Sequence, residues 1–219
     1  MGEPYNLFTG QSLERLTALS DGVFAVAMTL LVLDVRVPVS VALASSEHAL
    51  WDALLKLGPS FAAYLLSFTM LGTFWLAQHT LLGILGRCDR TLTWINLGFL
   101  FVVTLFPFSA ALLAHYVHLR LAVGVYWLNI LLLGAGLEWI ARYGRTAFLP
   151  DQTGQAYSRL STFRRRILMA QALYALAALI CLISTPASVI ALAIVQLYFI
   201  LSPRLPGTWR QRRGGGPDE

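Results

Sequence analysis

The sequence predicts an all-α integral membrane protein that crosses the bilayer six times, with both termini cytoplasmic. Of its 219 residues, 57% are hydrophobic and only 12% are charged, about half the charged fraction of an average soluble domain. The polar residues are concentrated in short stretches between long apolar runs. A run of about 20 apolar residues spans the hydrocarbon core as a helix, because backbone groups there must form their hydrogen bonds within the protein. The chain is therefore predicted to be a helical bundle in lipid.

Six apolar runs define the predicted spans. They are Leu13–Val37, which ends at Pro38, then Leu57–Leu82, Thr91–Tyr116, Leu119–Ile140, Ile167–Ile183 and Ala187–Leu201. The half-amphipathic stretch between the first two spans predicts an exposed loop with room for a helical turn. A tight polar link, Gly86–Arg90, joins the second and third spans. The longest polar segment, Ala141–Arg166, contains six arginines.

These spans predict one membrane domain over residues 1–203. The remaining residues, 204–219, form a tail that is rich in arginine and glycine. A segment with few apolar side chains does not bury enough surface to offset its conformational entropy. We therefore expect the tail to be disordered and cytoplasmic.

Positive charge is distributed unequally between the two sides that six spans create. The net charge is +5, and all but one of the 16 basic residues are arginine. Thirteen of the basic residues fall on one side, and Arg36, Lys56 and Arg120 fall on the other. Cytoplasmic loops carry an excess of lysine and arginine, which predicts cytoplasmic termini. Because the arginines flank apolar runs and form no separate basic domain, they do not indicate nucleic-acid binding.

One face of the first span carries an apolar stripe. At about 100° per residue, Leu30 and Leu33 lie within about 40° of Val26, and Thr29 lies about 60° away. The i, i+4, i+7 spacing allows the stripe to face one axis. Any apolar helix can instead pack such a stripe against its neighbours, so the periodicity alone leaves both interpretations open.

Asp21 is unusual because a carboxylate inside an apolar helix is costly unless it is paired or hydrated. It lies about 140° from Val26, away from the stripe, with Ser20 beside it. One hypothesis makes Asp21 an ion or proton site. The other makes it a pairing point between helices, with Trp75, His79 and Asn96 as candidate partners. We favour the structural hypothesis.

Asp34 lies near the outer end of the first span, about 80° from the stripe. Several copies around an axis would concentrate cations at a pore mouth. Pairing with Arg36 or Lys56 explains the residue equally well. Both interpretations stay open.

The chain resembles the transmembrane protein 175 family of potassium channels in three stretches. The first is Arg15-x-x-x-Leu19-Ser20-Asp21-Gly22-Val23-Phe24-Ala25-Val26-Ala27-x-Thr29-Leu30, which is similar to the family signature. The others are Phe74-Trp75-x-x-x-His79 and Asn96-Leu97-x-Phe99-Leu100, continuing to Phe106-Pro107-Phe108. The resemblance covers about residues 13–116, and the rest agrees only in hydropathy. The family usually has Phe-Ser-Asp where this chain has Leu19-Ser20-Asp21, a change that we expect to alter packing more than function.

The resemblance implies a six-helix subunit of a homotetramer in a prokaryotic plasma membrane. The first helices would line a central pore that conducts potassium without a TVGYG filter. Val26, Leu30 and Leu33 match the hydrophobic constriction, and Thr29 matches a threonine connected with cation preference. The signature residues predicted to form a structural network are Arg15, Ser20, Asp21, Trp75, His79 and Asn96. The implied partners are lipid, other copies of the chain and the permeant potassium ion, with no cofactor and no bound metal.

Two other functions are alternatives to a channel. A proton-coupled or proton-conducting transporter would use Asp21 and His79. A membrane-embedded enzyme is disfavoured, because the spans contain no HExxH, GxSxG, paired-aspartate or clustered His/Cys motif. The sequence therefore predicts a channel and not an enzyme.

Overall fold

The computed structural model of the protein describes residues 9–35, 46–149 and 154–201, and these ranges are almost entirely helical. In chain order the helices are α1 (Thr9–Leu30), α2 (Glu47–Lys56), α3 (Gly58–Leu85), α4 (Arg90–His115), α5 (Arg120–Phe148), α6 (Gln155–Leu179) and α7 (Thr185–Leu201). Short 3-10 segments extend α1 over Leu31–Asp34 and α6 over Ile180–Leu182. The predicted all-helical class is confirmed.

Five helical segments have the length and apolar composition of membrane spans. They are Leu13–Asp34, Gly58–Leu85, Arg90–His115, Arg120–Phe148 and Gln155–Leu182. The last helix, α7, has 17 residues and is therefore about 25 Å long. This length is at the lower limit for crossing the hydrocarbon core. The sixth crossing stays a prediction.

Local sequence signals produce the tight link between α3 and α4. Gly86 ends α3 in the left-handed conformation, with φ of 62°, which glycine adopts without steric cost. Asp89 then caps α4, because its Oδ1 accepts a hydrogen bond of 2.7 Å from the backbone N–H of Leu92. The predicted link over Gly86–Arg90 corresponds to these two signals.

The prediction of a loop before Lys56 is wrong for residues 47–56, which form α2. Ser46 caps this helix by accepting a hydrogen bond of 3.3 Å from the backbone N–H of Ala49. Glu47 lies in the first turn and Lys56 in the last, where their charges interact favourably with the helix dipole. These end signals outweigh the mixed composition of the segment.

The polar segment Ala141–Arg166 is also mostly helical. Helix α5 continues eight residues beyond the predicted end of its span, and α6 begins twelve residues before the predicted start of the next. Both extensions carry arginines that form contacts between the two helices. The tail over 204–219 and the end of the first span at Val37 and Pro38 lie outside the described residues.

Helix α3 is central to the bundle and α1 is at its edge. Within the described residues, α3 contacts all six other helices, whereas α1 contacts only α3 and α4. The rings of Phe24 and Phe99 lie 6.0 Å apart and join α1 to α4. The rings of Phe106 and Tyr126 lie 5.3 Å apart and join α4 to α5. One side of α1 therefore has no neighbour within the described part of the subunit.

Candidate pore-lining helix and buried polar network

The stripe predicted on the first span lies on the open side of α1. Val26 is 57% exposed, Leu30 is 44% exposed and Leu33 is 65% exposed. The opposite side of the helix packs into the bundle through the buried residues Leu16, Ser20, Phe24, Ala27 and Leu31. The two faces follow the helical period, so burial of one fixes the outward direction of the other.

Contacts on both flanks fix the rotation of α1. Phe24 packs on Phe99 of α4. On the other flank, Met28 lies against Gly72 of α3, where an added Cβ would be 3.4 Å from the Met28 Cε. Because α1 is held from two directions, its stripe has a defined orientation.

The change from α-helix to 3-10 helix keeps Leu33 in line with Leu30. The 3-10 segment Leu31–Asp34 begins directly after Leu30. A 3-10 helix has three residues per turn, so side chains at i and i+3 point the same way. The stripe therefore continues to the end of the span.

The exposed face of α1 borders an apolar groove of about 450 Å³ between α1 and α4. It is lined by Ala18, Leu19, Gly22, Val23, Val26, Ala27, Leu30 and Thr104. None of these side chains is charged. The groove is therefore suited to an apolar side chain or a lipid chain and not to an ion.

Thr29 lies on the same exposed side as Val26. Its hydroxyl donates a hydrogen bond of 2.8 Å to the backbone carbonyl of Val26 in the preceding turn. The donor is thereby satisfied within the helix, and the oxygen lone pairs stay available on the exposed face.

Asp21 accepts a hydrogen bond of 2.7 Å from the indole nitrogen of Trp75 on α3. Trp75 is one of its three predicted partners. His79 has no hydrogen bond to Asp21, and its ring lies 5.9 Å from that of Trp75. Asn96 forms no hydrogen bond to Asp21 either and belongs to a deeper cluster. The structure thus joins Asp21 to α3 through a single polar contact.

The deeper cluster consists of Ser20, Gln78 and Asn96, all fully buried. Gln78 Nε2 donates to Ser20 Oγ at 2.8 Å and to Asn96 Oδ1 at 3.0 Å. Asn96 Nδ2 donates to Ser20 Oγ at 3.1 Å. Ser20 in turn donates to the carbonyl of Leu16 at 2.8 Å. This triangle joins α1, α3 and α4 at one point.

Gln78 was not predicted to belong to this network. Its Oε1 is buried without a hydrogen-bond partner in the described residues. A signal was present in the sequence, since Phe74, Gln78, Leu81 and Leu85 follow i, i+4, i+7, i+11 spacing on one helix face. A polar residue on such a face points into the bundle and needs polar partners there.

Arg15 and Asp34 are not connected to these residues. Arg15 is exposed and forms no hydrogen bond or ion pair within the described ranges. Asp34 is half-buried and forms no ion pair with Lys56. Its other predicted partner, Arg36, lies outside the described residues. Arg15 and His79 are therefore placed outside the hydrogen-bonded network that was predicted to include them.

A carboxylate cluster joins α5 to α6 near the arginine-rich ends of both helices. Glu138 pairs with Arg142 one turn away at 2.8 Å and with Arg164 on the neighbouring helix. Arg164 Nε lies 3.0 Å from Glu138 Oε1 and 3.2 Å from Oε2. The pair with Arg142 lies within α5, whereas the contact with Arg164 connects the two helices.

Comparisons with known proteins agree with the resemblance seen in the sequence. Residues 15–107 match the model of a family described as the endosomal/lysosomal potassium channel TMEM175. A protein of Streptomyces collinus named as a potassium channel is 34% identical over 192 residues, which cover 84% of this chain and 90% of that protein. A protein of Gallus gallus named as an endosomal/lysosomal proton channel is 33% identical over 101 residues, 43% of this chain and 20% of the relative.

A solved structure is similar over nearly the whole subunit. It is the crystal structure of a lysosomal potassium-selective channel TMEM175 homolog from Chamaesiphon minutus. The match has a TM-score of 0.75 and 31% identity, and it covers 87% of this chain and 97% of that chain. The fold and the family assignment therefore rest on long alignments and not on a short motif.

Proposed function

The chain belongs to the TMEM175 family of ion channels, and we propose that it is a potassium-permeable channel of a prokaryotic plasma membrane. The family is one of channels and not of enzymes, and its members are multi-pass membrane proteins. The relative from Streptomyces collinus is named as a potassium channel. The similar crystal structure is described as potassium-selective. Potassium is therefore the permeant ion that the relatives support.

The pore forms between subunits of a homotetramer and is lined by α1. The observation that carries this proposal is the open side of α1, which presents Val26, Leu30 and Leu33 in one direction while the other side is buried. Helix α1 is at the edge of the bundle and contacts only α3 and α4 in the described residues. Four such edges brought together would place four stripes around one axis. The small residues Ala18 and Gly22 in the adjoining groove permit close approach.

Rings of branched aliphatic side chains from Val26, Leu30 and Leu33 then form a hydrophobic constriction. A narrow apolar pore resists a continuous column of water and closes by dewetting. The hydroxyl ring of Thr29 lies beside it and contributes to cation preference, because its oxygens replace part of an ion's hydration shell. The sequence contains no TVGYG segment, so selectivity does not depend on a ring of backbone carbonyls of that type.

The signature residues outside the stripe hold α1 in place. Asp21 is joined to Trp75, and Ser20 to Gln78 and Asn96. These contacts lie on the flank and back of α1, away from Val26. Asp34, near the outer end of the stripe, has no ion pair within the described residues. We assign it to the outer mouth, where four carboxylates attract cations.

Reconstitution of the purified protein in liposomes tests the proposed function. In a potassium gradient we expect unitary currents that reverse near the potassium equilibrium potential. Val26→Phe, which narrows the proposed constriction, is the matched variant and should reduce the unitary current. Saturable, slow flux without unitary events would indicate a carrier instead. Absence of flux from correctly assembled protein would reject the channel assignment.

Proton conduction is the second candidate function. The animal relatives are named as proton channels, and the side chains of Asp21, Trp75 and His79 form a row along the flank of α1 and α3. A pH-sensitive dye trapped in the liposomes measures this flux. If Asp21→Asn removes proton flux and leaves potassium current unchanged, the two ions use different groups and the proton assignment gains support.

A further inference from the structure

Arginines are concentrated at one end of the bundle, where three chain segments meet. Residues 86–90, 138–149 and 155–166 contain eight arginines and only two carboxylates, Asp89 and Glu138. The first two segments are in contact, because Tyr143 donates a hydrogen bond to Asp89. Gly144 also packs so closely on Leu85 that an added Cβ would lie 2.4 Å from its Cδ2. The α3–α4 link and the end of α5 therefore form one surface.

The start of α6 belongs to the same surface. Arg164 pairs with Glu138 of α5, and the guanidinium of Arg145 lies 5.1 Å from the ring centre of Tyr157. These two contacts hold the α6 extension against the α5 extension. These contacts bring together, at one end of the bundle, the three segments that carry the eight arginines, and we call this region the arginine face.

Helix length places this face beside the lipid headgroups. Helix α5 has 29 residues and is about 43 Å long, against a hydrocarbon core of about 30 Å. About 13 Å of α5 therefore lies outside the core. Trp139 is 64% exposed and is suited to the interface, and Arg142 and Arg145 follow it within two turns.

Four of the eight arginines have no partner in the described residues. Arg87, Arg90, Arg159 and Arg165 are exposed and take part in no hydrogen bond, ion pair or ring contact there. Arg142 is paired with Glu138, but its side chain is 67% exposed. A guanidinium forms paired hydrogen bonds with phosphate oxygens, which makes arginine well suited to bind them.

We propose that this arginine face binds the phosphate headgroups of anionic phospholipids in the adjacent leaflet. Its excess of positive charge and its height at the headgroup region fit a lipid phosphate held by the bilayer. The ligand is an anionic lipid, since the acyl chains would contact the exposed apolar side of α5 next to Trp139. The proposal does not depend on which ion the protein conducts.

Fluorescence quenching by brominated lipids tests this binding. The protein is reconstituted in phosphatidylcholine vesicles that contain either brominated phosphatidylglycerol or brominated phosphatidylcholine at equal mole fraction. The contribution of Trp139 is obtained by subtracting the signal of a Trp139→Phe variant. We expect stronger quenching by the brominated phosphatidylglycerol. Arg159→Gln and Arg165→Gln should each weaken the preference, by up to about fivefold per arginine.

Arg120→Gln is the matched control, because Arg120 is an exposed arginine at the opposite end of α5. It removes the same charge and should leave the Trp139 signal unchanged. Equal quenching by the two lipids, or an equal effect of Arg120→Gln, would overturn the proposal. Glycerophosphate added at constant ionic strength distinguishes binding of lipid phosphates from binding of soluble phosphates. If millimolar glycerophosphate abolishes the preference, the face binds soluble phosphates and the lipid assignment is wrong.

Discussion

The indole N–H of Trp75 donates a hydrogen bond of 2.7 Å to Asp21, and this contact joins the side of α1 to the central helix α3. Hydrogen bonds to a charged group are stronger than those between neutral groups, above all where water is scarce. Asp21 is turned away from the exposed stripe. Its position therefore favours a role in holding α1 at a fixed rotation.

Asp21→Asn should lower the thermal stability of the assembled protein. The substitution keeps the shape and an acceptor oxygen but removes the charge. We therefore expect the free energy of unfolding to fall by about 1 kcal/mol. This corresponds to a fall of about 2–4 °C in the unfolding midpoint, measured in detergent. Glu14→Gln is the control, since Glu14 is exposed on the same helix. Full stability with loss of conductance would instead identify Asp21 as an ion site.

Ser20→Ala should cost more than the loss of an ordinary serine. Ser20 Oγ accepts hydrogen bonds from both Gln78 and Asn96, so its removal leaves two buried donors with fewer partners. We expect the free energy of unfolding to fall by about 2–3 kcal/mol. Thr17→Ala is the control, because within the described residues the hydroxyl of Thr17 donates only to the backbone carbonyl of Leu13 in its own helix. Equal unfolding midpoints for the two variants would contradict a stabilising role of the triangle.

Polar substitutions in the stripe should increase conductance. Changing Val26, Leu30 or Leu33 to Asn or Ser supplies hydrogen-bonding groups and lowers the cost of wetting the constriction. Val26→Phe should reduce conductance, and substitution of Thr29 should change the potassium-to-sodium ratio more than the total current. Current–voltage recordings of each variant measure these effects.

Met28 provides the control for the stripe, because it packs against α3. Met28→Asn should impair folding or assembly and not increase the current. If polar substitutions at all three stripe positions leave conductance unchanged, α1 does not line the pore.

Arg164→Gln should destabilise the junction of α5 and α6 more than Arg142→Gln does. The side chain of Arg164 is 21% exposed and that of Arg142 is 67% exposed, although both bind Glu138. We expect a coupling free energy of less than about 1 kcal/mol for the exposed pair of Glu138 with Arg142. For the more buried pair of Glu138 with Arg164 we expect about 1–3 kcal/mol. A double-mutant cycle with Glu138→Gln measures the coupling by thermal unfolding. Equal coupling for both arginines would show that the contact between helices stabilises the protein no more than the pair within α5 does.

Cysteine labelling should place the α5–α6 connection in the cytoplasm. In a variant without Cys88 and Cys181, a cysteine at Gln155 should react only after the membrane is permeabilised. A cysteine at His118, which is exposed between α4 and α5, should react in intact cells. Labelling of position 155 from outside would reverse the topology that the arginine distribution predicts. Gln211 offers the same test in the tail, outside the described residues.

Much of the fold follows from hydropathy, and the exceptions have physical causes. The predicted runs locate α3, α4 and α7 to within a few residues. The extensions of α5 and α6 were not predicted because their turns are polar. Hydropathy indicates which residues lie in the hydrocarbon core, but it does not show where a helix continues outside that core. Contacts across the two helices, such as Arg164 with Glu138, stabilise these turns.

The candidate site was predictable where it depends on helical period and less so where it depends on packing. Spacing within one helix predicted that Val26, Leu30 and Leu33 share one direction, but not whether that direction is open or packed. The partners of Ser20 depend on how three helices pack together, and the periodicity of one helix does not predict that packing. Gln78 was not predicted because the candidate partners were those suited to the carboxylate of Asp21, whereas the buried cluster joins a hydroxyl to two amides.

The 3-10 segment after α1 also determines the vertical distances along the stripe. An α-helix rises about 1.5 Å per residue, so Val26 and Leu30 are separated by about 6 Å. The 3-10 segment rises about 2.0 Å per residue, so Leu30 and Leu33 are also about 6 Å apart, where a continuous α-helix would give about 4.5 Å. In the proposed tetramer, each interval is about two water diameters. A permeating ion would then meet three apolar rings, at Val26, Leu30 and Leu33, separated by two equal intervals.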